Sequence, residues 1–360
     1  MKYISHTIVL FLLNSGITLS AFAQTDSTYS KPIDLQKAFQ ETVKKYEYFE
    51  TEHGHYIQTP NVVMHYLTWG KPTGIPFVWV HGTTSNGYEA SGFAENLEKD
   101  GFYVISIDYY GHGKTPFPTK EVSIYDVADD IKYLLDKLKI NKAIIGGWSR
   151  GGSIATSFYD EYPETVLGIV LEDGGSVAWT RPYFKLDQKE MLQKLSEEAE
   201  KHGPVASQQM YNSLFDAFCN YQRKGNITLT TFHSINESSK GQWTINPGLA
   251  KWLGEDSWEI MTNYILRPTE APLFEYSTMM IEPKIVYRNL QVPLLIFDAI
   301  DNEDAFKDFE KNNRLLKQNH PKWVTHLVYE NTRHAIKYQH PERFYKDLIS
   351  FLNGIKNSGK

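Results

Sequence analysis

One short segment, Gly147-Trp148-Ser149-Arg150-Gly151, constrains the fold of this chain more than any other. The apolar residues Ala143 to Ile145 precede it and predict a strand, and residues 153–158 after it are compatible with a helix. A serine at such a strand-to-helix turn is held in a strained backbone conformation, and the glycines remove side chains that would collide there. Because G-x-S-x-G also arises by chance, its meaning depends on the rest of the sequence.

Strands and helices are predicted to alternate on both sides of this segment. The predicted strands are Val62–Trp69, Pro76–Val80, Tyr103–Ile107, Lys142–Trp148, Leu167–Leu171, Val292–Phe297 and Trp323–Tyr329. Several of them are almost continuously apolar, as in strands that are buried on both faces. The pattern predicts an α/β fold with a mainly parallel sheet flanked by helices.

The alternation stops between residues 177 and 283. Lys189–His202 and Gln208–Tyr221 are predicted to be amphipathic helices, and aromatic residues are scattered through the remainder. We therefore expect residues 24–176 and 284–360 to form the core, and residues 177–283 to form a mostly helical cap insertion. Its aromatic residues fit either the interior of the insertion or the wall of an apolar pocket.

The first 23 residues have the features of a signal peptide. Lys2 supplies the positive charge, Ile8–Leu13 the apolar centre, and Ala21-Phe22-Ala23 a cleavage site of small residues. The apolar run is interrupted and too short to form a stable membrane span. The sequence thus predicts a secreted or periplasmic protein that begins at Gln24.

Composition excludes several other classes of function. The net charge is −6 and no long basic run occurs, so a nucleic-acid partner is not expected. Cys219 is the only cysteine, which rules out an internal disulfide. His53 and His55 are close together but lack companions at metal-ligand spacing, so no metal or other cofactor is predicted.

The order of three residues predicts nucleophilic catalysis. A serine hydroxyl needs a histidine base, and the histidine needs an acid that fixes its tautomer. Ser149, Asp301 and His334 occur in a suitable order, with the last two after successive predicted strands. Asp301 is the preferred acid because of its offset from its strand. The alternative acids are Asp298, Asp304 and Asp173.

Acyl transfer also needs donors for the developing oxyanion. The backbone N–H groups of Arg150 and Thr83 are the candidates, since one follows the serine and the other follows the strand that ends near His81. The Arg150 side chain either forms a salt bridge within the fold or contacts an anionic substrate.

Several motifs together resemble the α/β-hydrolase superfamily with a cap domain. The resemblance runs from Val62 to Leu352 and rests on His81-Gly82, Asp108-x-x-Gly111-x-Gly113, Gly147-x-Ser149-x-Gly151, Asp301 and His334. Within this superfamily the chain is similar to the esterase/lipase and proline iminopeptidase-like branches. A serine in the turn, instead of an aspartate, is unlike the dehalogenase and epoxide hydrolase branches.

The resemblance implies a serine hydrolase that acts on a small ester or amide with an apolar or aromatic part, a carboxylic ester being preferred. The first alternative is an iminopeptidase-like aminopeptidase, for which cap acids such as Glu197, Glu198 and Glu270 would hold the substrate amine. Typical iminopeptidases carry H-G-G-P-G where this chain has His81-Gly82-Thr83-Thr84-Ser85. The second alternative is a non-catalytic ligand binder on a hydrolase fold.

Overall fold

The computed structural model describes residues 34–180, 183, 185–202, 209–223, 228–238, 241–246, 248–254, 257–301 and 307–358. The predicted signal peptide, residues 1–23, lies outside these residues, as does Asp304. Both therefore stay predictions.

An eight-stranded sheet forms the centre of the described chain. Its strands are β1 Gly54–Gln58, β2 Val63–Trp69, β3 Ile75–Val80, β4 Phe102–Ile107, β5 Ala143–Trp148, β6 Val166–Glu172, β9 Leu294–Ile300 and β10 Val324–Glu330, while β7 Ile235–Glu237 and β8 Trp243–Ile245 pair separately. The strand order is β1-β2-β4-β3-β5-β6-β9-β10. Pairing is antiparallel between β1, β2 and β4 and parallel from β4 to β10.

Helices cover the sheet, and several more helices lie in the long connection between β6 and β9. Their bounds are α1 Leu35–His53, α2 Ser91–Lys99, α3 Ile124–Lys137, α4 Arg150–Glu161, α5 Gln188–His202, α6 Leu214–Arg223, α7 Leu229–His233, α8 Leu249–Leu253, α9 Trp258–Leu266, α10 Leu273–Met280, α11 Pro283–Val286, α12 Lys307–Asn319, α13 Ile336–Gln339 and α14 Pro341–Ser358. None of the described helices is long and apolar enough to cross a lipid bilayer.

The apolar runs of the sequence explain the central strands. Every residue of β4 and β5 is buried, as expected for strands with helices on both faces. The start of α3 is fixed by a capping box, in which Ser123 and Asp126 satisfy each other's backbone N–H groups. The prediction of an α/β fold with a mainly parallel sheet is confirmed.

The connection between β6 and β9 contains more than helices. Short strands β7 and β8 pair there, a feature that the sequence analysis did not predict. Helix α1, from the other end of the chain, packs against this region through an apolar cluster that includes Phe39 and Phe218. The division of the chain into a core and a cap at residues 177 and 283 stays a prediction.

Candidate active site

Ser149 lies at the sharp turn between β5 and α4. Its φ of 55° and ψ of −122° are strained for a residue with a side chain. The turn is fixed because Ser149 N–H donates to Glu172 O at 3.0 Å, while Gly152 N–H donates to Ser149 O at 2.9 Å. A Cβ at Gly151 would lie 2.1 Å from Val80 O, so only glycine fits there. Ser149 remains partly exposed although Arg150 beside it is buried.

His334 lies in the loop after β10 and contacts a carboxylate. Its Nδ1 donates to Asp173 Oδ2 at 2.6 Å. The two side chains are only 12% and 2% exposed, so water screens this contact little. Because Nδ1 carries the donated proton, Nε2 is left as the basic nitrogen of a neutral His334.

The acid beside His334 is therefore Asp173, one of the alternatives from the sequence, and not the preferred Asp301. In the parallel pairing of β6 and β9, Glu172 lies opposite Phe297. Asp173 follows this pair by one residue, whereas Asp301 follows it by four residues. Four residues of extended chain correspond to roughly 13 Å along a strand. The Asp301 carboxylate instead lies 3.7 Å from Arg333 Nε. The carboxylate in contact with His334 is thus that of Asp173, and not that of Asp301 as the sequence led us to expect.

The alternative acid Asp298 is engaged elsewhere. Its Oδ2 accepts hydrogen bonds from His326 Nε2 at 2.7 Å and from Asn313 Nδ2 at 3.0 Å. Burial raises the pKa of Asp298, although the bond from His326 opposes that shift. These contacts give Asp298 a role in holding β9, β10 and α12 together.

The serine turn and the His334 loop are joined directly. Trp148 Nε1 donates to His334 O at 2.9 Å, and the two rings lie 5.2 Å apart between centroids. The residue before Ser149 thus fixes the backbone of His334. Since Ser149 N–H also bonds to the backbone of Glu172, the neighbour of Asp173, these contacts join the segments that carry Ser149, Asp173 and His334.

The loop after β3 supplies a candidate oxyanion donor. Gly82 N–H donates to Glu89 Oε2 at 3.3 Å, and Thr84 N–H to His112 Nε2 at 3.2 Å. Thr83 N–H, between them, has no acceptor among the residues that the structure describes. Such a backbone N–H can donate a hydrogen bond to an oxygen on which negative charge develops.

This loop packs against the serine turn. A Cβ at Gly82 would lie 2.5 Å from the Trp148 ring, so the backbone approaches the turn more closely than another residue would allow. Arg150 is the first residue of α4, and the N–H groups of a first helical turn have no acceptor within their own helix. Both predicted donors, Thr83 and Arg150, therefore belong to segments that pack around Ser149.

A buried ionic cluster connects these segments, and the sequence analysis missed it. Lys337 Nζ lies 3.0 Å from Glu172 Oε2 and 3.3 Å from Glu89 Oε1, and 3.7 Å from the centroid of the Trp148 ring. Both carboxylates are 0% exposed. Burial raises the pKa of Glu172, and the ammonium of Lys337 opposes this shift. Glu89 also accepts a hydrogen bond from Gly82 N–H in the loop after β3.

We expect Lys337→Met to destabilise the protein by about 3–5 kcal/mol, because it leaves two buried carboxylates without their cation. Urea unfolding at neutral pH measures this loss. The matched change Lys346→Met, at an exposed position of α14, should stay within about 0.5 kcal/mol of the native protein. Equal stabilities of the two variants would contradict a structural role for the cluster.

The Arg150 side chain forms a salt bridge within the fold, the first of its two expected roles. Its Nη2 lies 2.8 Å from Glu275 Oε2, and the two side chains are 2% and 1% exposed. Glu275 belongs to α10, so this pair connects the serine turn with the long insertion. Phe274 packs beside the guanidinium, with its ring centroid 5.9 Å from Arg150 Cζ.

The acids considered for an amine-binding role lie elsewhere. Glu197 is exposed and accepts a hydrogen bond from Gln193. The side chain of Glu270 is 57% exposed and lies 3.8 Å from Arg267 Nη1. The side chain of Glu198 is outside the described part of the structure. Glu275, a buried acid whose partner Arg150 follows Ser149 in the chain, is already engaged in that salt bridge.

The chain is similar in sequence to a known protein family and to several known proteins. A model of the alpha/beta hydrolase fold family matches residues 75–341. A proline iminopeptidase of Neisseria gonorrhoeae is 30% identical over 133 residues, which cover 35% of this chain and 41% of that protein. The AB hydrolase superfamily protein YisY of Bacillus subtilis is 27% identical over 184 residues, with 46% and 68% coverage. The chain thus spans about two fifths of the length of the iminopeptidase that it matches.

Solved structures show the same fold. E-2-(acetamidomethylene)succinate hydrolase superposes with a TM-score of 0.58 at 18% identity, covering 83% of this chain and 98% of that one. A carboxylesterase structure from Nitrososphaera gargenis gives a TM-score of 0.54 at 18% identity, with 84% and 100% coverage. At this level of identity the similarity concerns the arrangement of strands and helices.

Proposed function

Because the chain belongs to the alpha/beta hydrolase fold family, we propose that it is a serine hydrolase that cleaves a carboxylic ester through an acyl-enzyme on Ser149. The observation that carries the proposal is the 2.6 Å contact of His334 with Asp173, made beside a strained serine turn. A nucleophile, a base and an orienting acid on adjoining segments are what nucleophilic acyl transfer requires.

In the first half of the proposed reaction, His334 Nε2 takes the proton of Ser149 Oγ as this oxygen attacks the ester carbonyl. Asp173 holds Nδ1–H and stabilises the imidazolium that forms. The carbonyl oxygen becomes an oxyanion that accepts hydrogen bonds from Thr83 and Arg150 N–H. The C–O bond to the alcohol then breaks, and the alcohol leaves with the proton from His334.

In the second half, water attacks the acyl-enzyme. His334 Nε2 takes a proton from the water and returns it to Ser149 Oγ as the acid leaves. The sum is the addition of one water across the ester bond. Each step uses side chains and backbone groups of this chain.

One alternative has an observation in its favour, the sequence similarity to proline iminopeptidases. An aminopeptidase needs an acid that holds the substrate amine. Glu197 and Glu270 are exposed, and Glu275 pairs with Arg150, so none of the three is placed for that role. The ester hydrolase remains the preferred proposal.

Two chromogenic substrates, tested with one preparation, separate these possibilities. We expect release of p-nitrophenol from p-nitrophenyl acetate or butyrate and little release of p-nitroaniline from proline p-nitroanilide. Turnover of the anilide alone would replace the ester hydrolase with the aminopeptidase. Failure of both substrates, together with no covalent labelling of Ser149 by a fluorophosphonate, would favour the non-catalytic binder.

A further inference from the structure

Three distant segments bring metal-binding side chains together away from Ser149. Glu50 belongs to α1, His65 to β2 and His233 to α7. One ligand atom of each lies within 4.8 Å of those of the other two. The histidines are fully buried, and the Glu50 side chain is 20% exposed, which leaves an approach from solvent.

Asp108 orients both imidazoles toward Glu50. Its Oδ2 accepts hydrogen bonds from His65 Nδ1 at 2.8 Å and from His233 Nε2 at 2.7 Å. The remaining ring nitrogens, His65 Nε2 and His233 Nδ1, lie 3.2 Å and 3.5 Å from the two oxygens of Glu50. Histidines that bind metals commonly donate their second ring N–H to a carboxylate in this way.

These spacings fit a tetrahedral ion. Zinc binds nitrogen and oxygen ligands at about 2.0–2.2 Å, which places neighbouring ligands of a tetrahedron about 3.3–3.6 Å apart. The two ring nitrogens lie at distances close to that range, each from a different oxygen of Glu50, and with one oxygen as the ligand all three ligand atoms lie within 4.8 Å of one another. Tyr46 Oη, 2.7 Å from His233 Nδ1, marks a side on which the fourth ligand, this hydroxyl or a water, could bind.

We propose that Glu50, His65 and His233 form a structural zinc site whose imidazoles are oriented by Asp108. The ion would join α1 and α7 to the sheet, and its proposed ligands do not include Ser149, Asp173 or His334. Because the ligands come from residues 50, 65 and 233, zinc stabilises the folded chain and not the unfolded one.

A proton can satisfy the same contacts, and it is the competitor. A proton between His65 Nε2 and Glu50 Oε2, which lie 3.2 Å apart, would hold these two groups together without a metal. Zinc would replace the proton on His65 Nε2. Binding experiments are therefore best made at slightly alkaline pH, at which fewer protons compete for the ligands and zinc stays in solution.

The test is zinc binding by the full-length mature protein without a histidine tag. After equilibration with zinc chloride and dialysis, we expect about one zinc per chain by elemental analysis, and a higher unfolding midpoint than in EDTA. Glu50→Gln should weaken zinc binding at least about tenfold. The matched control, His55→Gln on the exposed face of β1, should bind zinc like the native chain.

X-ray absorption of the zinc-loaded native protein makes the test independent of how the variants fold. We expect a shell of nitrogen and oxygen that contains two imidazoles. A shell of oxygen alone, or one with sulfur from Cys219, would overturn the proposal. Failure to retain zinc, or equal binding by native protein and a folded Glu50→Gln variant, would overturn it as well.

Discussion

Replacing Ser149 by alanine is expected to lower kcat for ester hydrolysis by about 10⁴-fold or more, because loss of a serine nucleophile leaves only binding and oxyanion stabilisation. Steady-state hydrolysis of p-nitrophenyl acetate measures this effect. KM should change little, since the deleted hydroxyl acts in the chemical step.

The control for this prediction is Ser153→Ala, one helical turn further along α4. This variant should keep its rate within a few fold of the native value, because Ser153 has no part in the proposed mechanism. Near-ultraviolet circular dichroism checks that both variants are folded. Hydrolysis that persists in a folded, pure Ser149→Ala protein would exclude Ser149 as the nucleophile.

The second large effect concerns the acid. Asp173→Asn should lower kcat by about 10³–10⁴-fold, because an amide at this position favours the wrong tautomer of His334 and no longer stabilises its cation. The same change at Asp301, which lies beside Arg333, should alter kcat by only a few fold. Both variants remove one negative charge and keep the side-chain shape.

The comparison of the two variants decides between the acids. A large loss in Asp301→Asn with a small loss in Asp173→Asn would restore the acid preferred from the sequence. Equal losses would contradict the assignment of a single orienting carboxylate. The ratio of the two rate constants is therefore the quantity to measure.

Local signals in the sequence were sufficient to predict seven strands of the central sheet and the strained turn, whereas β1, β7 and β8 were missed. The run before Ser149 is apolar enough to form a buried strand, and β5 ends one residue before the serine. The position of His334 after the last strand was equally apparent, because strand and helix patterns flank it on both sides.

The choice between Asp173 and Asp301 depends on register, which no local pattern contains. β9 extends to Ile300, beyond the end of β6, so that Asp301 lies beside Arg333 while Asp173, at the end of β6, contacts His334. The signal present in the sequence was that Asp173 follows its strand immediately and precedes two glycines. In the structure the first of them, Gly174, approaches the Ser149 backbone closely.

The ionic cluster could not be predicted for a related reason. Glu89, Glu172 and Lys337 occur in ordinary sequence surroundings, and only the fold places the lysine between the two acids. The same holds for Arg150 and Glu275, whose separation in sequence hides a buried contact. Long-range pairs of this kind follow from topology and not from periodicity.

The position of α1 has a consequence for how the protein reaches its fold. Tyr46 in this helix bonds to His233, a residue 187 positions later in the chain. During synthesis the helix emerges early, yet its packing partners in α6 and α7 follow only after most of the sheet strands. Isolated helices are marginal in water, and contacts of high sequence separation slow folding. The contacts of α1 with α6 and α7 are therefore expected to be among the last to form.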